Sequence, residues 1–218
     1  MSQIRIQANA SGTGTFTIAP PPSDNTPVIT LPDETTTVAG IDLTQTMLNQ
    51  TLGSGLVMGA TALTSTPQVA TTSGTSVVLA TGIPSWAKSV TVIFDSLSIS
   101  GTSPILIQFG TGATPTWATT GYASSSDNYT LASGPIGSAS NGFRVGSTIT
   151  AGTSISCLYT FAPTGTDRWV GQLNGNLGAS VIFGGGVVTL SDTFTAVRVT
   201  TSGGTDVFDL GSASVVYE

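Results

Sequence analysis

Hydrophobic residues recur in short alternating runs from about residue 65 onward. The longest row is Ile155, Cys157, Tyr159 and Phe161, in which every second residue is apolar. Strict alternation of this kind is typical of a strand with one face in the core. Glycine, proline and serine separate the runs and favour turns. We therefore predict strands over 76–80, 89–100, 105–109, 155–161, 168–170, 181–183, 187–190, 194–200, 207–210 and 214–217.

The run 89–100 changes parity in its middle. Apolar residues fall on even positions up to Phe94 and on odd positions from Leu97. One extra residue in a strand has this effect, so we predict a β-bulge at Asp95–Ser96. Turn sequences at 164–167 and 202–204 predict two hairpins. Eight or more short strands at this spacing predict an all-β fold: an antiparallel β-sandwich, jelly-roll-like, over 65–218.

A stretch rich in glycine, serine and threonine, 110–142, interrupts the strands and is longer than an ordinary connection. It is either a surface binding loop or a broken pair of strands. Its aromatic residues Trp117, Tyr122 and Tyr129 are candidate contacts to a ligand or partner, because aromatic rings give contact area at a low entropic cost. The alternative for all three is packing within the loop.

Residues 1–64 differ from the rest of the chain. Prolines divide this stretch into apolar pieces that are too short for a sheet with its own core. One short helix is predicted over 41–52, where Asp42 can cap the first turn. We expect an extended N-terminal arm for virion attachment or trimerisation, since burying each apolar side chain contributes roughly 1.5–3 kcal/mol. The expected assembly residues are Ile4, Ile6, Phe16, Ile18, Val28, Ile29 and Leu31.

Charge is scarce in this chain. Five Lys and Arg and eleven Asp and Glu give a net charge of −6, and charged residues make up 7% of the sequence, against about 25% in an ordinary domain. The lack of a basic stripe argues against nucleic-acid binding. No apolar run reaches the roughly 18 residues of a membrane span, and MSQIRIQANA lacks the apolar segment of a signal peptide. We expect synthesis in a reducing cytoplasm.

Residues of the types used in catalysis are also scarce. The chain contains no His and one Cys, which excludes His-based catalysis and multi-Cys or His metal sites within one chain. Asp206 and Asp209 could be considered as an acid pair, but residues three apart on one strand point to opposite faces. We therefore expect no catalytic residues, no metal and no cofactor. Cys157 is expected in the core.

Four further residues have expected structural roles. Trp86 is expected to pack over one end of the sandwich, with ligand contact as the alternative. Arg144, Arg168 and Arg198 are each expected to pair with a nearby Asp. Pairing within the fold, and not ligand binding, is thus the expectation for the three arginines.

Several segments resemble tailed-bacteriophage virion proteins. TGIPSWAKSVTVIFDSLSISGTSPILIQFGTG (81–112), RWVGQLNG (168–175) and TAVRVTTSGGTDVFDLGSASVVYE (195–218) are similar to a β-rich module at the C-terminus of tail-fibre and other virion-surface proteins. GTGTFTIAPPPSDNTPVITLPDETTTVAG (12–40) resembles arm repeats of phage fibre proteins, and QTMLNQTL (45–52) resembles a linker phrase between such segments. Together these segments are distributed from residue 12 to residue 218, and their order strengthens the resemblance.

The resemblance implies a non-enzymatic homotrimer located in the virion. The implied partners are other copies of the chain, a tail or major capsid protein and, for a fibre, a host-surface glycan. A tail-fibre or receptor-binding function is the first expectation, favoured by the TLPD and QTMLNQTL phrases and by the aromatic stretch. Capsid decoration, or cement, is the alternative, favoured by the short chain and by the absence of a long fibrous shaft in the sequence.

Overall fold

The computed structural model of the protein describes residues 63–129 and 136–218. Within these residues the chain forms fourteen strands and no helix. The expected arm, its seven assembly residues and the expected helix over 41–52 lie outside the described residues. The strands are β1 (Thr64–Ser65), β2 (Val69–Ala70), β3 (Ser76–Thr81), β4 (Val90–Ile99), β5 (Ile105–Thr111), β6 (Thr116–Trp117), β7 (Tyr122–Tyr129), β8 (Gly137–Ala139), β9 (Phe143–Val145), β10 (Ile155–Pro163), β11 (Arg168–Leu177), β12 (Ser180–Thr189), β13 (Phe194–Thr201) and β14 (Phe208–Tyr217).

The strands form two antiparallel sheets around one core. The larger sheet has the order β1-β14-β4-β10-β11-β12-β7-β8, with β2 also paired to β14. The smaller sheet has the order β3-β13-β5-β6, with β9 also paired to β5. The predicted hairpin around 164–167 joins β10 to β11. The predicted all-β antiparallel sandwich is therefore confirmed.

The pairing of the strands is nested. β1 and β2 pair with β14, β3 with β13, β4 with β10, and β5 with β9. Successive nested pairs alternate between the larger and the smaller sheet, so the chain follows the path of one long hairpin wrapped around the core. Jelly rolls are double-sheet folds of this kind. β11, β12, β7 and β8 extend the larger sheet beyond β10.

A bulge in β4 keeps both halves of that strand in the core. Cys157 of β10 lies opposite Phe94, whereas two residues earlier β10 lies opposite Leu97. β4 therefore has one residue more than β10 over this interval. Ser96, inside the bulge, has a φ of 55°. Apolar side chains point inward on both sides of it, and the predicted bulge at Asp95–Ser96 is confirmed.

Aromatic rings fill the space between the sheets. The ring centroid of Phe109 in β5 lies 4.9 Å from that of Phe161 and 4.3 Å from that of Phe194. Trp169 lies 5.8 Å from Phe109, edge to face. Such pairs contribute about 0.5–1.5 kcal/mol beyond their buried area. Cys157 is buried in this core, as predicted, and burial raises the pKa of its thiol to about 12.

Three predictions differ from the structure. The runs 181–183 and 187–190 belong to one strand, β12, which continues through three glycines whose lack of side chains hides the alternation. The runs 207–210 and 214–217 likewise belong to one strand, β14, whose register shifts beside the β4 bulge. The turn at 202–204 is not a hairpin, because it joins β13 of the smaller sheet to β14 of the larger sheet.

A substitution at Gly211 of β14 tests how tightly this residue packs against the bulge in β4. Its φ is 85°, and a Cβ at this position would collide with the carbonyl oxygen of Ser96. We expect Gly211→Ala to lower the free energy of unfolding by about 2–4 kcal/mol, because the left-handed conformation alone costs about 1–2 kcal/mol and the bulge must also shift. Urea denaturation measures this loss.

Gly204→Ala is the matched control for that variant. Gly204 has a φ of 66°, and no other atom lies within 4 Å of an added Cβ. We therefore expect Gly204→Ala to lose only the conformational part, about 1–2 kcal/mol. If both variants lose the same free energy of unfolding, the bulge in β4 accommodates the added methyl group of residue 211 at no cost in stability.

Candidate functional site: a polar groove beside the smaller sheet

The outward face of the smaller sheet carries a polar pair. β5 is buried along its whole length, with Ile107 and Phe109 in the core. Because side chains alternate along a strand, Gln108 points to the opposite face. There it lies opposite Arg198 of β13. Gln108 is 4% exposed, and a polar side chain so buried needs hydrogen-bond partners.

Gln108 joins Arg198 to the segment that precedes β9. Its Oε1 accepts hydrogen bonds from Nε and Nη2 of Arg198, at 2.9 and 2.7 Å. Its Nε2 donates to the backbone carbonyl of Asn141 at 2.6 Å. Hydrogen bonds that involve a charged group contribute about 1.5–3 kcal/mol. The amide is thus fixed through both of its polar atoms, and it fixes the guanidinium group in turn.

Trp117 of β6 supports the same guanidinium group. Cζ of Arg198 lies over the indole ring, 4.7 Å from its centroid, which is a cation–π contact. The ring can occupy this position because residue 110 is glycine, where a Cβ would approach it to 3.0 Å. Burial lowers the pKa of Arg198, and the nearby Tyr122 acts weakly in the opposite direction. Arginine is not deprotonated in proteins, so the group stays charged at neutral pH.

Two recesses meet beside this cluster. The smaller, of about 270 Å³, is lined by Arg198, Gln108 and neighbouring threonines. The larger, of about 850 Å³, is lined by five serines and Arg144. Leu106, Asn141 and Ser202 line both recesses, so the two form one open groove. This groove is called the polar groove below.

Arg144 is committed to the fold. Its Nε donates to the carbonyl of Gly146 at 3.0 Å, its Nη1 to that of Ser138 at 3.4 Å, and its Nη2 to that of Ser147. Among residues 63–129 and 136–218, Arg144 and Arg198 have carbonyl and amide oxygens as partners and no Asp, so the expected ion pairs are wrong for this part of the chain. The physical reason for Arg144 is that the irregular backbone around β8 and β9 leaves carbonyls that need donors.

Tyr122 is a structural residue at the edge of the polar groove. It is 5% exposed, and its hydroxyl accepts a hydrogen bond from the backbone N–H of Phe109 at 2.9 Å. Its ring packs edge-on against Phe143. Burial raises the pKa of its hydroxyl to about 12. Trp117 packs against the same end of β5, so the structure brings these two candidate residues together.

Tyr129 lies apart from Tyr122 and Trp117. It follows Tyr122 by seven positions on β7, which corresponds to about 23 Å and to the opposite face of the sheet. It is 56% exposed. Trp86 is also exposed, and it lies against Tyr217 of β14 with 6.1 Å between ring centroids. Within 110–142, the described residues form strands β6, β7 and β8. Of the two alternatives for this stretch, a surface binding loop or a broken pair of strands, the structure shows the second.

The carboxylates considered as an acid pair have separate partners. Asp206 accepts a hydrogen bond from the backbone N–H of Ser103 at 2.6 Å, and this bond holds the pKa of Asp206 below its usual range. Asp209 accepts a hydrogen bond from the hydroxyl of Ser98. Neither carboxylate lines the polar groove. Within 63–129 and 136–218, no three His, Cys, Asp or Glu side chains form a cluster that could hold a metal ion.

Sequence reasoning missed Gln108 and Asn141. One signal for Gln108 was present, because it is the single amide in the apolar run ILIQF. A polar side chain in a buried strand must find hydrogen bonds, so this position could have been marked. Asn141 contributes its backbone carbonyl, which no sequence pattern identifies.

Comparison with known proteins identifies no relative of this chain, so the geometry of the polar groove is the basis for assigning a function. No protein family, no curated protein and no solved structure gives a significant match to the chain. In the part of the chain that the structure describes, no helix has the length and hydropathy needed to cross a bilayer.

Removing the Tyr122 hydroxyl tests its structural role. Tyr122→Phe leaves the buried N–H of Phe109 without an acceptor, so we expect the free energy of unfolding to fall by about 1–3 kcal/mol. Tyr129→Phe, at the exposed end of the same strand, is the matched control and should change stability by less than about 0.5 kcal/mol. Thermal and urea unfolding measure both values. A neutral Tyr122→Phe substitution would contradict the assignment.

Proposed function

We propose that the protein is a non-enzymatic structural protein of a tailed-bacteriophage virion that attaches to a host-surface glycan. The observation that carries this proposal is the polar groove, where hydroxyl, amide and guanidinium groups from β5 and β13 of the smaller sheet, from β7 and β8 of the larger sheet and from the adjoining loops line one depression. The resemblance of 81–112 and 195–218 to virion-surface proteins supports the same function. In this function the groove binds saccharide and leaves it chemically unchanged.

The lining of the polar groove suits a saccharide. The exposed hydroxyls of the groove, on Ser125, Ser138, Ser140 and Ser202, can each donate one hydrogen bond and accept two, which matches the hydroxyls of a sugar. Pro104, which is partly exposed, provides apolar surface for the C–H face of a sugar ring. The groove is open along its length, so an internal unit of a polysaccharide can enter it as well as an end.

The same lining supports binding without turnover. A glycosidase needs two carboxyl groups about 5–9.5 Å apart on either side of the scissile bond. Among the described residues that line the polar groove there is no Asp, Glu, His or Cys. Asp206 and Asp209 are engaged elsewhere by Ser103 and Ser98.

An array of bacterial surface polysaccharides tests the attachment function. We expect the labelled protein to bind a subset of printed capsule and lipopolysaccharide samples, and Ser140→Trp, which fills the larger recess, to weaken this binding at least about ten-fold. Ser154→Trp is the matched control, since Ser154 is also exposed but lies in the turn before β10. Binding that survives Ser140→Trp, or binding to no polysaccharide, would contradict the proposal.

Capsid decoration is the second candidate function, and a different surface favours it. The outward face of the larger sheet exposes Leu158, Val170, Val181 and Phe183, each by 39–49%. These residues lie on the neighbouring strands β10, β11 and β12. Leu158 and Phe183 lie on either side of Asn174, and Val170 lies four residues from Asn174 along β11, opposite Val187. Exposed apolar side chains of this kind can contribute to a contact with another protein. A decoration protein needs such contacts with its own copies and with the capsid shell.

The size of this face can be compared with that of a subunit contact. Six strands from β14 to β7 span about 24–29 Å, and seven residues along a strand span about 23 Å. The product, about 550–670 Å², is less than the roughly 800 Å² that each partner buries in a standard interface, so such a contact would also use surface outside this face. The proposed homotrimer and a neighbouring virion protein are the partners that we assign to this face.

A charge on this face tests assembly. Phe183→Asp is expected to reduce the light-scattering mass from that of a trimer to that of one 21.9 kDa chain at micromolar concentration, because a carboxylate cannot be buried unpaired. Val78→Asp, at a similarly exposed position of β3, is the matched control and should leave the mass unchanged. A trimer that persists in Phe183→Asp would show that assembly does not use this face.

The location of the protein in the virion distinguishes attachment from capsid decoration. Antibodies against residues 65–218 can be bound to intact virions and viewed by negative-stain microscopy. Label on the tail supports the attachment function, whereas label on the shell supports decoration.

A further inference from the structure

Arg198 presents one edge of its guanidinium group that has no partner among the described residues. Nε and Nη2 form one edge, and both donate to Gln108 Oε1. Nη1 and the second N–H of Nη2 form the other edge, whose two parallel donors match a carboxylate. Since Arg198 lines the smaller recess, we propose that this edge binds the carboxylate of an acidic sugar, of the hexuronic or sialic type. This inference rests on the proposed saccharide binding by the polar groove.

The two arginines of the polar groove differ in the way this assignment requires. Every guanidinium nitrogen of Arg144 donates to a backbone carbonyl, so that side chain has a structural role. Arg198 instead has one face against Trp117 and one edge on Gln108. Those contacts hold the guanidinium group in place before a ligand arrives. A group held in this way loses less conformational entropy on binding than a mobile surface arginine does.

The charge of the recess selects a carboxylate over a phosphate. Arg198 is the one charged side chain among the described residues that line the smaller recess, and the whole chain carries a net charge of −6. One guanidinium group neutralises one carboxylate, whereas a phosphate with nearly two negative charges would keep an unbalanced charge there. Thr119, Thr200 and Ser202 line the same recess and can contact the hydroxyls of the same sugar.

Titration with small saccharides followed by nuclear magnetic resonance tests the assignment. The full-length protein is titrated with methyl β-glucuronide, methyl β-glucoside, acetate and inorganic phosphate, and the indole N–H signal of Trp117 is followed. We expect the glucuronide to shift this signal and to bind at least about ten-fold more tightly than the glucoside, since one charged hydrogen-bonded pair distinguishes them. Arg198→Gln should abolish that preference, and Arg168→Gln, an exposed arginine on β11, should not.

Each outcome decides the inference. Equal binding of glucuronide and glucoside would overturn the acidic subsite, and so would tighter binding of phosphate, or of acetate, than of glucuronide. The comparison of ligands on the unmodified protein decides the matter even if Arg198→Gln does not fold. Arg198→Lys, which keeps the charge and loses the two-donor edge, should weaken glucuronide binding and retain a smaller preference for it.

The failure of this inference is distinct from the failure of the proposed function. If Ser140→Trp removes polysaccharide binding while the glucuronide shows no preference, attachment by the polar groove holds and the acidic subsite is wrong. If the glucuronide binds at Arg198 while no polysaccharide is bound by the full-length protein, the subsite holds and attachment is wrong.

Discussion

Phe109 joins the hydrophobic core to the polar groove. Its ring packs against Phe161 and Phe194 between the two sheets. Its backbone N–H donates to the hydroxyl of Tyr122, and its carbonyl accepts a hydrogen bond from Ala118. The first bond positions β7 and the second positions the chain after β6, while the residues on either side of Phe109 in β5 carry or support the polar cluster. The geometry of the groove is therefore set by the packing of the core beneath it.

The polar cluster illustrates how a chain with few charges keeps a partly buried cation. Burial disfavours the charged form of Arg198, and the direction of its pKa shift reflects that cost. Gln108 offsets the cost with two hydrogen bonds, and Trp117 adds the attraction of its ring. Neither partner neutralises the charge, in contrast to a carboxylate. The guanidinium group is thus both fixed and still able to bind an anion.

Much of the fold follows from the sequence because alternation reports which face of a strand is buried. The parity change between Phe94 and Leu97 correctly located a bulge, and the row ending at Phe161 correctly located a core strand. Alternation did not predict the full length of β12, because its three central glycines have no side chains. It also could not show that the turn at 202–204 joins strands of different sheets. Of the three aromatic candidates in 110–142, Trp117 and Tyr122 lie beside the polar cluster and Tyr129 lies apart from it, and their contact with a ligand stays a prediction. The partners of Arg198 were not predicted, because they depend on contacts between strands that are remote in sequence.

The nested pairing fixes the order in which a nascent chain can complete this sandwich. Among the nested pairs, β5 and β9 are the innermost and close the shortest loop, so they can pair before the outer ones. β4 obtains its neighbour on one side from β10 and on the other side only from β14, which is synthesised after every other described strand. Until β14 leaves the ribosome, β4 presents an open and largely apolar edge. An unpaired strand edge is a place where another chain can pair, so the last strand of the fold also closes the edge that most needs protection.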